Sequence, residues 1–285
     1  MAPSGKPGRE PELPPLREII KRFQLTAQKS LGQHFLLDSN LTGRIARVAG
    51  ALEPKHIIEV GPGPGSLTRA LLAQGAASVT AIEKDRRCVA ALEHLQEAYP
   101  DRLRVLEADA LDIDPASAAP APRIIVSNLP YNISTVLIVK WLRSVRDIDL
   151  LVLMLQKEVA DRLAAIPGNK IYGRLSVITQ WLCEVEIAFN VDKRAFTPPP
   201  KVASSVVVLK PRSEPAAPAE WDSLEAVTAA AFNQRRKMLR ASLKSMNFDF
   251  DGLAIEPTAR AEELSVEEFC RLARAHAAAK NAAGD

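Results

Sequence analysis

The stretch HIIEVGPGPGSLTRALL, residues 56–72, decides the fold class of this chain. Residues 56–60 form an apolar run that predicts a buried strand, and residues 61–65 are a glycine–proline run that predicts a loop. Residues 66–72 then have the apolar spacing of a helix. A strand that passes through a glycine-rich loop into a helix is typical of open α/β sheets, which bind ligands at their carboxyl edge. The stretch therefore predicts such a sheet, with a ligand site at the loop.

The alternation of strand and helix patterns continues along most of the chain. Further apolar strands, separated by segments of helical spacing, are predicted at residues 78–82, 103–106, 124–126 and 150–155. Such alternation is typical of a parallel sheet that helices cover on both faces. Residues 184–191 and 202–209 follow without room for a crossover helix, which predicts an antiparallel hairpin at the sheet's edge. We therefore predict an α/β fold with a Rossmann-like, mostly parallel sheet.

Composition divides the chain into three predicted parts. Residues 1–27 are rich in proline, glycine and charge at their start and predict a disordered or short helical extension, with a helix at 16–25. Residues 28–212 carry the α/β pattern, and a linker-like run, PRSEPAAPA, follows at 211–219. Residues 219–285 show only helical patterns and predict a small all-α C-terminal domain. Its helices are expected at residues 221–232, 235–246 and 265–279, the last capped by Ser265.

The overall composition is that of a soluble globular protein. Of the 285 residues, 47% are hydrophobic and 25% are charged, and a net charge of +3 is too small by itself to indicate a nucleic-acid partner. No apolar run approaches the roughly 20 residues of a membrane span, and the N-terminus lacks the apolar core of a secretory signal. The 3 cysteines and 4 histidines show no metal-ligand spacing. We therefore expect no metal site, no membrane partner and a reducing, cytoplasmic location.

The run SNLPYN, residues 127–132, is the predicted reaction site. It follows an apolar run at 123–126 and so lies at the carboxyl end of a predicted parallel strand, where open α/β sheets bind their ligands. Asn128 offers an amide oxygen as acceptor, the Pro130 region offers a carbonyl without a competing amide, and Tyr131 offers a flat stacking face. Together they suit a planar base that is held by its exocyclic amine. An ordinary strand-to-helix turn is the alternative interpretation.

Two acidic residues at neighbouring strand ends accompany the glycine-rich loop. Glu83 ends the second predicted strand, with the spacing of a residue that accepts hydrogen bonds from ribose hydroxyls, and Asp109 follows the third strand, within reach of an adenine amine. In the loop, Pro62 and Pro64 have no amide hydrogen to offer a pyrophosphate. Ser66 stands where a dinucleotide-binding loop would have its third Gly or Ala. The pattern therefore favours a cofactor without phosphates, S-adenosylmethionine, over a nicotinamide dinucleotide. Asp85 is expected to be a solvated helix start.

The predicted C-terminal helix 235–246 carries a cluster of cations. On a helix, Arg236, Arg240 and Lys244 fall at positions i, i+4 and i+8 and form one basic stripe. Like charges at this spacing destabilise an isolated helix, so a phosphate partner is a physical reason for them. A solvated helix face is the alternative interpretation. The predicted RNA contacts are Arg235, Arg236, Lys237, Arg240 and Lys244, with Lys21, Arg22 and Lys29 as an extension.

Seven motifs follow in order between residues 28 and 275. They are QHFL (33–36), EVGPG (59–63), NLPYNIS (128–134), LQKEV (155–159), YGRLS (172–176), FTPPPKV (196–202) and AFNQRRK (231–237). This ordered set closely resembles the bacterial small-subunit enzymes of the ribosomal RNA adenine dimethylase family. The resemblance implies a class I methyltransferase fold. It also implies cofactor contacts at His34, Leu36, Gly61, Glu83, Asp109 and Asn128. Because some members carry Asn in place of His34, the backbone and the side chain of His34 both stay open as the source of that contact.

The resemblance implies a reaction as well as a fold. Two adjacent adenines, in a hairpin near the 3′ end of small-subunit ribosomal RNA, would each receive two methyl groups on N6 from S-adenosylmethionine. The expected partner is that RNA in an immature 30S-type particle, and the expected oligomeric state is a monomer. Asn128, Pro130 and Tyr131 would hold the base. Phe196 is the candidate for its opposite face, because the proline run after it would stiffen the loop, with a plain core residue as the alternative.

Two rival functions remain open at this point. One is a large-subunit ribosomal RNA adenine methyltransferase of the antibiotic-resistance type. The other is a non-catalytic assembly or transcription factor that keeps the fold and the RNA binding. The motifs at 172–176 and 234–237 favour the small-subunit enzyme, and an intact 128–131 run together with Glu83 argues against a protein without catalysis.

Overall fold

The computed structural model describes residues 11–28 and 32–284, and its strands and helices follow the predicted alternation. The strands are β1 (Phe35–Leu36), β2 (His56–Val60), β3 (Ser78–Glu83), β4 (Leu103–Glu107), β5 (Arg123–Asn128), β6 (Leu150–Gln156), β7 (Cys183–Val191), β8 (Phe196–Thr197) and β9 (Ser204–Pro211). The helices are α1 (Leu16–Arg22), α2 (Ser39–Val48), α3 (Ser66–Ala73), α4 (Arg86–Gln96), α5 (Pro115–Ala118), α6 (Ser134–Arg143), α7 (Lys157–Leu163), α8 (Arg174–Leu182), α9 (Trp221–Asn233), α10 (Leu239–Ser242) and α11 (Val266–Gly284).

Seven strands form the central sheet, in the order β4-β3-β2-β5-β6-β9-β7. The first five of these are parallel, and β9 runs antiparallel to both β6 and β7. The predicted edge hairpin is therefore confirmed, with its second strand inserted next to β6 and its first strand outermost. The predicted α/β fold with a mostly parallel, Rossmann-like sheet is confirmed as well.

Both faces of the sheet are buried, which explains the continuous apolar runs of its central strands. In β5, Ile124 and Val126 pack into one hydrophobic cluster, while Ile125 between them packs into the cluster on the opposite face. All three side chains are fully buried. Because successive side chains of a strand point to opposite faces, a strand covered on both sides needs apolar residues at every position.

The C-terminal helices pack against α8 and share a hydrophobic cluster with it. Val177 and Trp181 of α8 lie in the same cluster as Leu224 of α9 and Phe269 of α11. The predicted cap of the last helix is confirmed, because the Ser265 hydroxyl accepts from the Glu268 amide, and the Glu268 carboxylate accepts from the Ser265 amide. Packing onto α8 fixes these helices relative to the sheet.

The predicted helix at 235–246 is wrong. Helix α9 ends at Asn233, and Met238 is extended and pairs with Arg260 as an isolated bridge. Only the four residues of α10 and a short 3₁₀ turn follow. Leu239 and Leu243 are both fully buried, so the chain turns inward here rather than continuing as an exposed helix. The cations of this segment therefore do not share one helical stripe.

The N-terminal segment and the loop before β9 form a small sheet that the sequence did not predict. Strands β1 and β8 pair antiparallel, with Leu36 opposite Phe196 and Phe35 opposite Thr197. The predicted helix at 16–25 is confirmed over its first seven residues. Lys29 and residues 1–10 lie outside the described residues. Among the residues that are described, no helix is both long and apolar enough to cross a membrane.

Candidate functional site

A cavity opens where the parallel strands end, and it gathers most of the predicted site residues. Its wall comes from the segment before and within β1, the loop after β2, the ends of β3, β4 and β5, and the start of the connection to α6. The predicted residues that line it are His34, Leu36, Gly61, Glu83, Asp109, Asn128, Pro130 and Tyr131. Phe196 is not among the described residues that line it. The carboxyl edge of the sheet thus brings together residues that are distant in sequence.

The glycine-rich loop uses its amides within the protein. The Gly61 amide donates to the Ile82 carbonyl, the Gly63 amide to the Glu83 carboxylate, and the Gly65 amide to the Pro62 carbonyl, each at 3.0 Å. The two prolines of the loop have no amide hydrogen. A pyrophosphate bound here would therefore find no free glycine amide in this loop.

Gly61 combines two requirements that only glycine meets. Its φ is +66°, in the left-handed region, and a Cβ at this position would lie 3.2 Å from two ring atoms of Pro130. The loop after β2 and the run after β5 therefore touch at this point. Any side chain at Gly61 would push the two walls of the cavity apart.

Glu83 is a buried carboxylate that three backbone amides already hold. The amides of Gly63, Lys84 and Asp85 donate to its oxygens at 2.8–3.0 Å. Burial nevertheless raises the pKa of this carboxyl, although the three hydrogen bonds lower it. An ionised carboxylate has about four acceptor positions. Glu83 therefore keeps about one for a ligand hydroxyl, fewer than the pair of ribose contacts expected from the sequence.

Asp109 follows β4, the strand that pairs with β3, and its carboxylate is paired. Lys84 Nζ donates to Asp109 Oδ2 at 2.7 Å, and the Leu111 amide donates to Oδ1 at 3.0 Å. These bonds, the Lys84 contact first, lower the pKa of the Asp109 carboxyl. Since the Lys84 side chain is largely exposed, the pair is open to solvent. A ligand amine at Asp109 would share this carboxylate with Lys84.

Asn128 ends β5 with its amide nitrogen engaged. Its Nδ2 donates to the His34 carbonyl oxygen at 3.4 Å, which leaves Oδ1 as the acceptor that a ligand can reach. The Pro130 carbonyl accepts from the Ile133 amide at 3.2 Å, so it does have an intramolecular donor. A carbonyl oxygen has two lone pairs and can accept a second hydrogen bond. Two acceptors therefore lie within one short run at the cavity.

The two candidate aromatic residues have different surroundings. Tyr131 is half-buried in the cavity wall, with its hydroxyl 2.6 Å from Ser204 Oγ and its ring 5.6 Å from the His34 ring. Phe196 is only 2% exposed and packs in the hydrophobic cluster that contains Leu36. The structure thus brings Tyr131 to the other site residues and leaves Phe196 in the core beside them. The stacking role of Phe196 stays a prediction.

The His34 side chain contacts the loop before β9. Its Nδ1 lies 2.8 Å from the Pro198 carbonyl oxygen. A carbonyl can only accept, so Nδ1 carries the proton and donates. The preceding residue, Gln33, donates from Nε2 to Asp85 Oδ2 at 3.0 Å, which ties the segment to the start of α4. The expected solvated Asp85 is wrong, because this residue caps α4 but is 6% exposed and is held by Arg87.

Glu59 is a cavity residue to which the sequence assigned no role. It is 1% exposed and accepts a hydrogen bond from Thr68 Oγ1 at 2.7 Å. Burial raises the pKa of its carboxyl to about 8, against the lowering effect of Thr68. The signal was visible as a single acidic residue inside an apolar strand, directly before the glycine loop. Glu59 therefore presents a neutral carboxyl group to the cavity at neutral pH.

The predicted RNA-binding cations lie in two kinds of environment. Arg235 Nη2 donates to the carbonyls of Lys170 and Tyr172 at 2.6 and 2.9 Å, and it pairs with Glu262 at 3.1 Å. Arg235 therefore connects the loop before α8 with the segment before α11. Arg236, Lys237, Arg240 and Lys244 are exposed. Within the described ranges, no salt bridge involves any of these four side chains.

The comparisons with known proteins agree with this architecture. A model of the ribosomal RNA adenine dimethylase family matches residues 24–278. The chain belongs to the ribosomal RNA adenine dimethylase family. Among its relatives, the "Ribosomal RNA small subunit methyltransferase A" of Paramagnetospirillum magneticum is 62% identical, over 93% of this chain and 95% of that protein. The protein of the same name from Rhodospirillum rubrum is 58% identical over 92% of each chain. The resemblance drawn from the ordered motifs is confirmed.

Solved structures of similar proteins support the same fold for this adenine dimethylase family member. A dimethyladenosine transferase from Plasmodium falciparum has a TM-score of 0.70 at 27% identity, covering 84% of this chain and 96% of that one. The 23S rRNA methyltransferase ErmE has a TM-score of 0.66 at 29% identity, covering 85% and 99%. The class I methyltransferase fold is confirmed. Because ErmE, a methyltransferase of 23S rRNA, shares this fold, the fold alone does not choose the substrate.

Proposed function

We propose that this protein transfers methyl groups to N6 of two adjacent adenines, in a hairpin near the 3′ end of small-subunit ribosomal RNA, giving N6,N6-dimethyladenosine. The observation that carries the proposal is the position of Asn128. It shares one cavity with Gly61 and Glu83, its Nδ2 is bound to the His34 carbonyl, and its Oδ1 remains to accept. Relatives at 62% and 58% identity that are named small-subunit methyltransferases support the choice of RNA.

The cavity fits S-adenosylmethionine as the methyl donor. The loop amides are used internally, which suits a nucleoside without phosphates, and Glu83 and Asp109 offer carboxylates at two neighbouring strand ends. When bound, S-adenosylmethionine supplies a methyl group on a positively charged sulfur. The residues that would hold it are His34 through its backbone, Leu36, Gly61, Glu83, Asp109 and Asn128. We propose no metal in this reaction.

The protein's part in the reaction is to hold and orient the target amine. The lone pair of an adenine amine is delocalised into the ring, which makes it a poor nucleophile. Hydrogen bonds from N6 to Asn128 Oδ1 and to the Pro130 carbonyl would localise that pair and set its direction. Orientation of this kind contributes about 7–11 kcal/mol in favourable cases. Because a stacked base cannot reach such a pocket, the adenine must leave its stack.

Stacking on Tyr131 would hold the extruded base in the plane that the two acceptors require. Such stacking contributes roughly 1–3 kcal/mol per base, and Phe196 is proposed for the opposite face after a movement out of the core. No general base is needed, because the methylated amine is strongly acidic and water takes its proton. One N–H remains after the first transfer, so one of the two acceptors can still hold the amine for the second.

The proposed partner is small-subunit RNA within an immature 30S-type particle. We propose that the protein binds it as a monomer, in the cytoplasm. Buried, free cysteines at positions 88, 183 and 270 are consistent with a reducing compartment. We propose residues 28–212 as the methyltransferase domain and residues 219–285 as the RNA-binding domain, with 1–27 as an extension. Arg236, Lys237, Arg240 and Lys244 would contact phosphates.

The test compares two substrates. The protein is incubated with labelled S-adenosylmethionine and either small subunits that lack the modification or large subunits, and the RNA is digested to nucleosides. We expect labelled N6,N6-dimethyladenosine only from the small subunit. Label in large-subunit RNA would instead support the alternative that ErmE represents, and no label in either would support a non-catalytic assembly factor.

A further inference from the structure

The Tyr131 ring is held by two side chains that lie outside its own loop. At the end of the ring, the Tyr131 hydroxyl and Ser204 Oγ are 2.6 Å apart, and Ser204 is fully buried at the start of β9. Beside the ring, the His34 imidazole lies 5.6 Å away between centroids, tilted by 32°. The turn from Pro130 to Ile133 fixes the backbone below it. The ring orientation is therefore set before any base arrives.

His34 itself is held in place from two sides. Its Nδ1 donates to the Pro198 carbonyl at 2.8 Å, and its own carbonyl accepts from Asn128 Nδ2 at 3.4 Å. The pairing of Leu36 with Phe196 brings the two segments together. The backbone of His34 thus meets the residue expected to grip the target amine. Its side chain meets the aromatic ring and the loop before β9.

We propose that His34 and Ser204 are positioning residues for the target base, which hold the Tyr131 ring as a preformed stacking surface. The inference rests on the proposed function, in which an adenine stacks on Tyr131. It assigns the His34 side chain to the base, whereas the family resemblance assigns that position to the cofactor. A preformed surface spares the complex the loss of rotamer freedom that ordering a Tyr side chain would otherwise require on binding.

Each contact can be removed separately. Tyr131→Phe and Ser204→Ala delete the same hydrogen bond from opposite ends and keep the aromatic ring. His34→Ala removes both the ring contact and the donor to Pro198. His34→Asn restores only a donor, since its amide can reach a carbonyl, and His34→Phe restores only a ring.

The experiment uses the full chain and unmodified small subunits. Dimethylation is measured at saturating S-adenosylmethionine for kcat/KM of the RNA, and the Kd of S-adenosylmethionine is measured without RNA by calorimetry. We expect Tyr131→Phe and Ser204→Ala each to lower kcat/KM by about 2- to 10-fold. The double variant should be no worse than the worse single variant, because one shared bond is lost only once. His34→Ala should lower kcat/KM by about 10-fold or more. His34→Asn and His34→Phe should each lower it by a smaller factor. The Kd of S-adenosylmethionine should stay within twofold of wild type in every variant.

Three results would overturn the proposal. In the first, His34→Ala weakens cofactor binding tenfold and leaves kcat/KM at saturating cofactor unchanged, so that the side chain serves the cofactor. In the second, the Tyr131→Phe and Ser204→Ala effects multiply, so that they do not report one bond. In the third, His34→Ala and Ser204→Ala remain fully active. Thermal unfolding of each variant identifies any that fails to fold. If His34→Ala or Ser204→Ala fails to fold, the activity of the milder variant, His34→Asn or Tyr131→Phe, decides whether the positioning role holds.

Tyr131→Ala separates this proposal from the function on which it rests. If Tyr131→Ala is inactive while the His34 and Ser204 variants are normal, only the positioning role fails. If Tyr131→Ala dimethylates normally, the stacking role in the proposed function fails, and the positioning role fails with it.

Discussion

Glu59 is a carboxyl group whose protonation the fold controls. It is 1% exposed, lies in the wall of the proposed cofactor cavity and accepts a hydrogen bond from Thr68. Burial disfavours the charged form, and the nearby Glu83 carboxylate adds to this effect, which together raise the pKa to about 8. A neutral Glu59 leaves the cavity with one negative charge fewer.

The raised pKa predicts how stability depends on pH. Between the ordinary value of 4.5 and about 8, the folded protein holds a proton on Glu59 that the unfolded chain releases. Rising pH therefore destabilises the folded state, by roughly 1.4 kcal/mol per pH unit for one proton, and the loss is complete above about pH 8. Glu59→Gln mimics the neutral acid, so its free energy of unfolding should fall less steeply from pH 5 to pH 8 in urea titrations.

Wild type is the control for Glu59→Gln, because both share every other titrating group. Parallel pH profiles for the two proteins would contradict a neutral, buried Glu59. A profile for the variant that is flatter only between pH 5 and pH 8 would support it.

Sequence patterns predicted some of these residues for a clear reason. Glu83, Asp109 and Asn128 follow from strand ends, because the carboxyl ends of parallel strands meet at one edge of the sheet. The partner of Tyr131 did not follow, because Ser204 is 73 residues away and approaches only when β9 inserts beside β6. The pKa of Glu59 likewise depends on how completely α3 and the loop after β2 bury it.

The loop after β2 is the element on which the cavity depends. Its three glycine amides are bound within the protein, and a Cβ added at Gly61 would lie 3.2 Å from the Pro130 ring. The loop thereby sets the distance between the proposed cofactor site and the two acceptors for the target amine.

Gly61→Ala should have two effects, the strain of a left-handed alanine and the close approach of its Cβ to Pro130. A left-handed alanine costs about 1–2 kcal/mol wherever it occurs. At Gly61 a Cβ would also lie 3.2 Å from Pro130, so the loop or the Pro130 run must shift. We expect cofactor affinity and dimethylation to fall about tenfold or more, since small displacements of reacting groups have large effects on rate.

The matched control is Gly50→Ala. Gly50 has a similar φ of +72°, and nothing lies within 4 Å of the Cβ that alanine would add. Gly50→Ala should lose a similar 1–2 kcal/mol of stability and keep wild-type activity. Equal activity of the two variants would show that the Gly61–Pro130 contact is unimportant.

The segment after α9 is an element for which the sequence pattern gave a wrong prediction. Its helical spacing was real, but Leu239 and Leu243 are drawn into the C-terminal core, and Met238 pairs with Arg260 instead. Tertiary packing overrides local propensity in such short segments. By contrast, α11 was predicted well, since Ser265 caps its start.

Across the whole molecule, the proposed RNA surface depends on exposed cations rather than on a helical stripe. Arg235 contacts Lys170, Tyr172 and Glu262 and so holds two parts of the chain together. Its neighbours Arg236 and Lys237 are exposed as Arg235 is, but no salt bridge of the described residues involves them. The structure thus assigns adjacent basic residues to different environments.

Arg236→Ala and Lys237→Ala should weaken binding to unmodified small subunits without destabilising the fold. Each lost phosphate contact should reduce the slope of log affinity against log salt by roughly 0.7–0.9. Binding measured between 50 and 200 mM salt, together with thermal unfolding, checks both expectations. Arg104→Ala, an exposed cation on the edge strand β4, is the control and should keep the wild-type slope. Unchanged slopes for all three variants would contradict this RNA surface.

The proposed reaction requires Asn128 to hold N6 of an adenine in small-subunit RNA. The most direct measurement incubates unmodified small subunits with S-adenosylmethionine and either wild type, Asn128→Ala or the control Asn40→Ala, an exposed residue of α2. Mass spectrometry of the digested RNA then quantifies N6,N6-dimethyladenosine. We predict rapid formation by wild type and Asn40→Ala, and a rate lower on the order of 100-fold for Asn128→Ala. Near-normal dimethylation by Asn128→Ala would show that Asn128 does not hold N6.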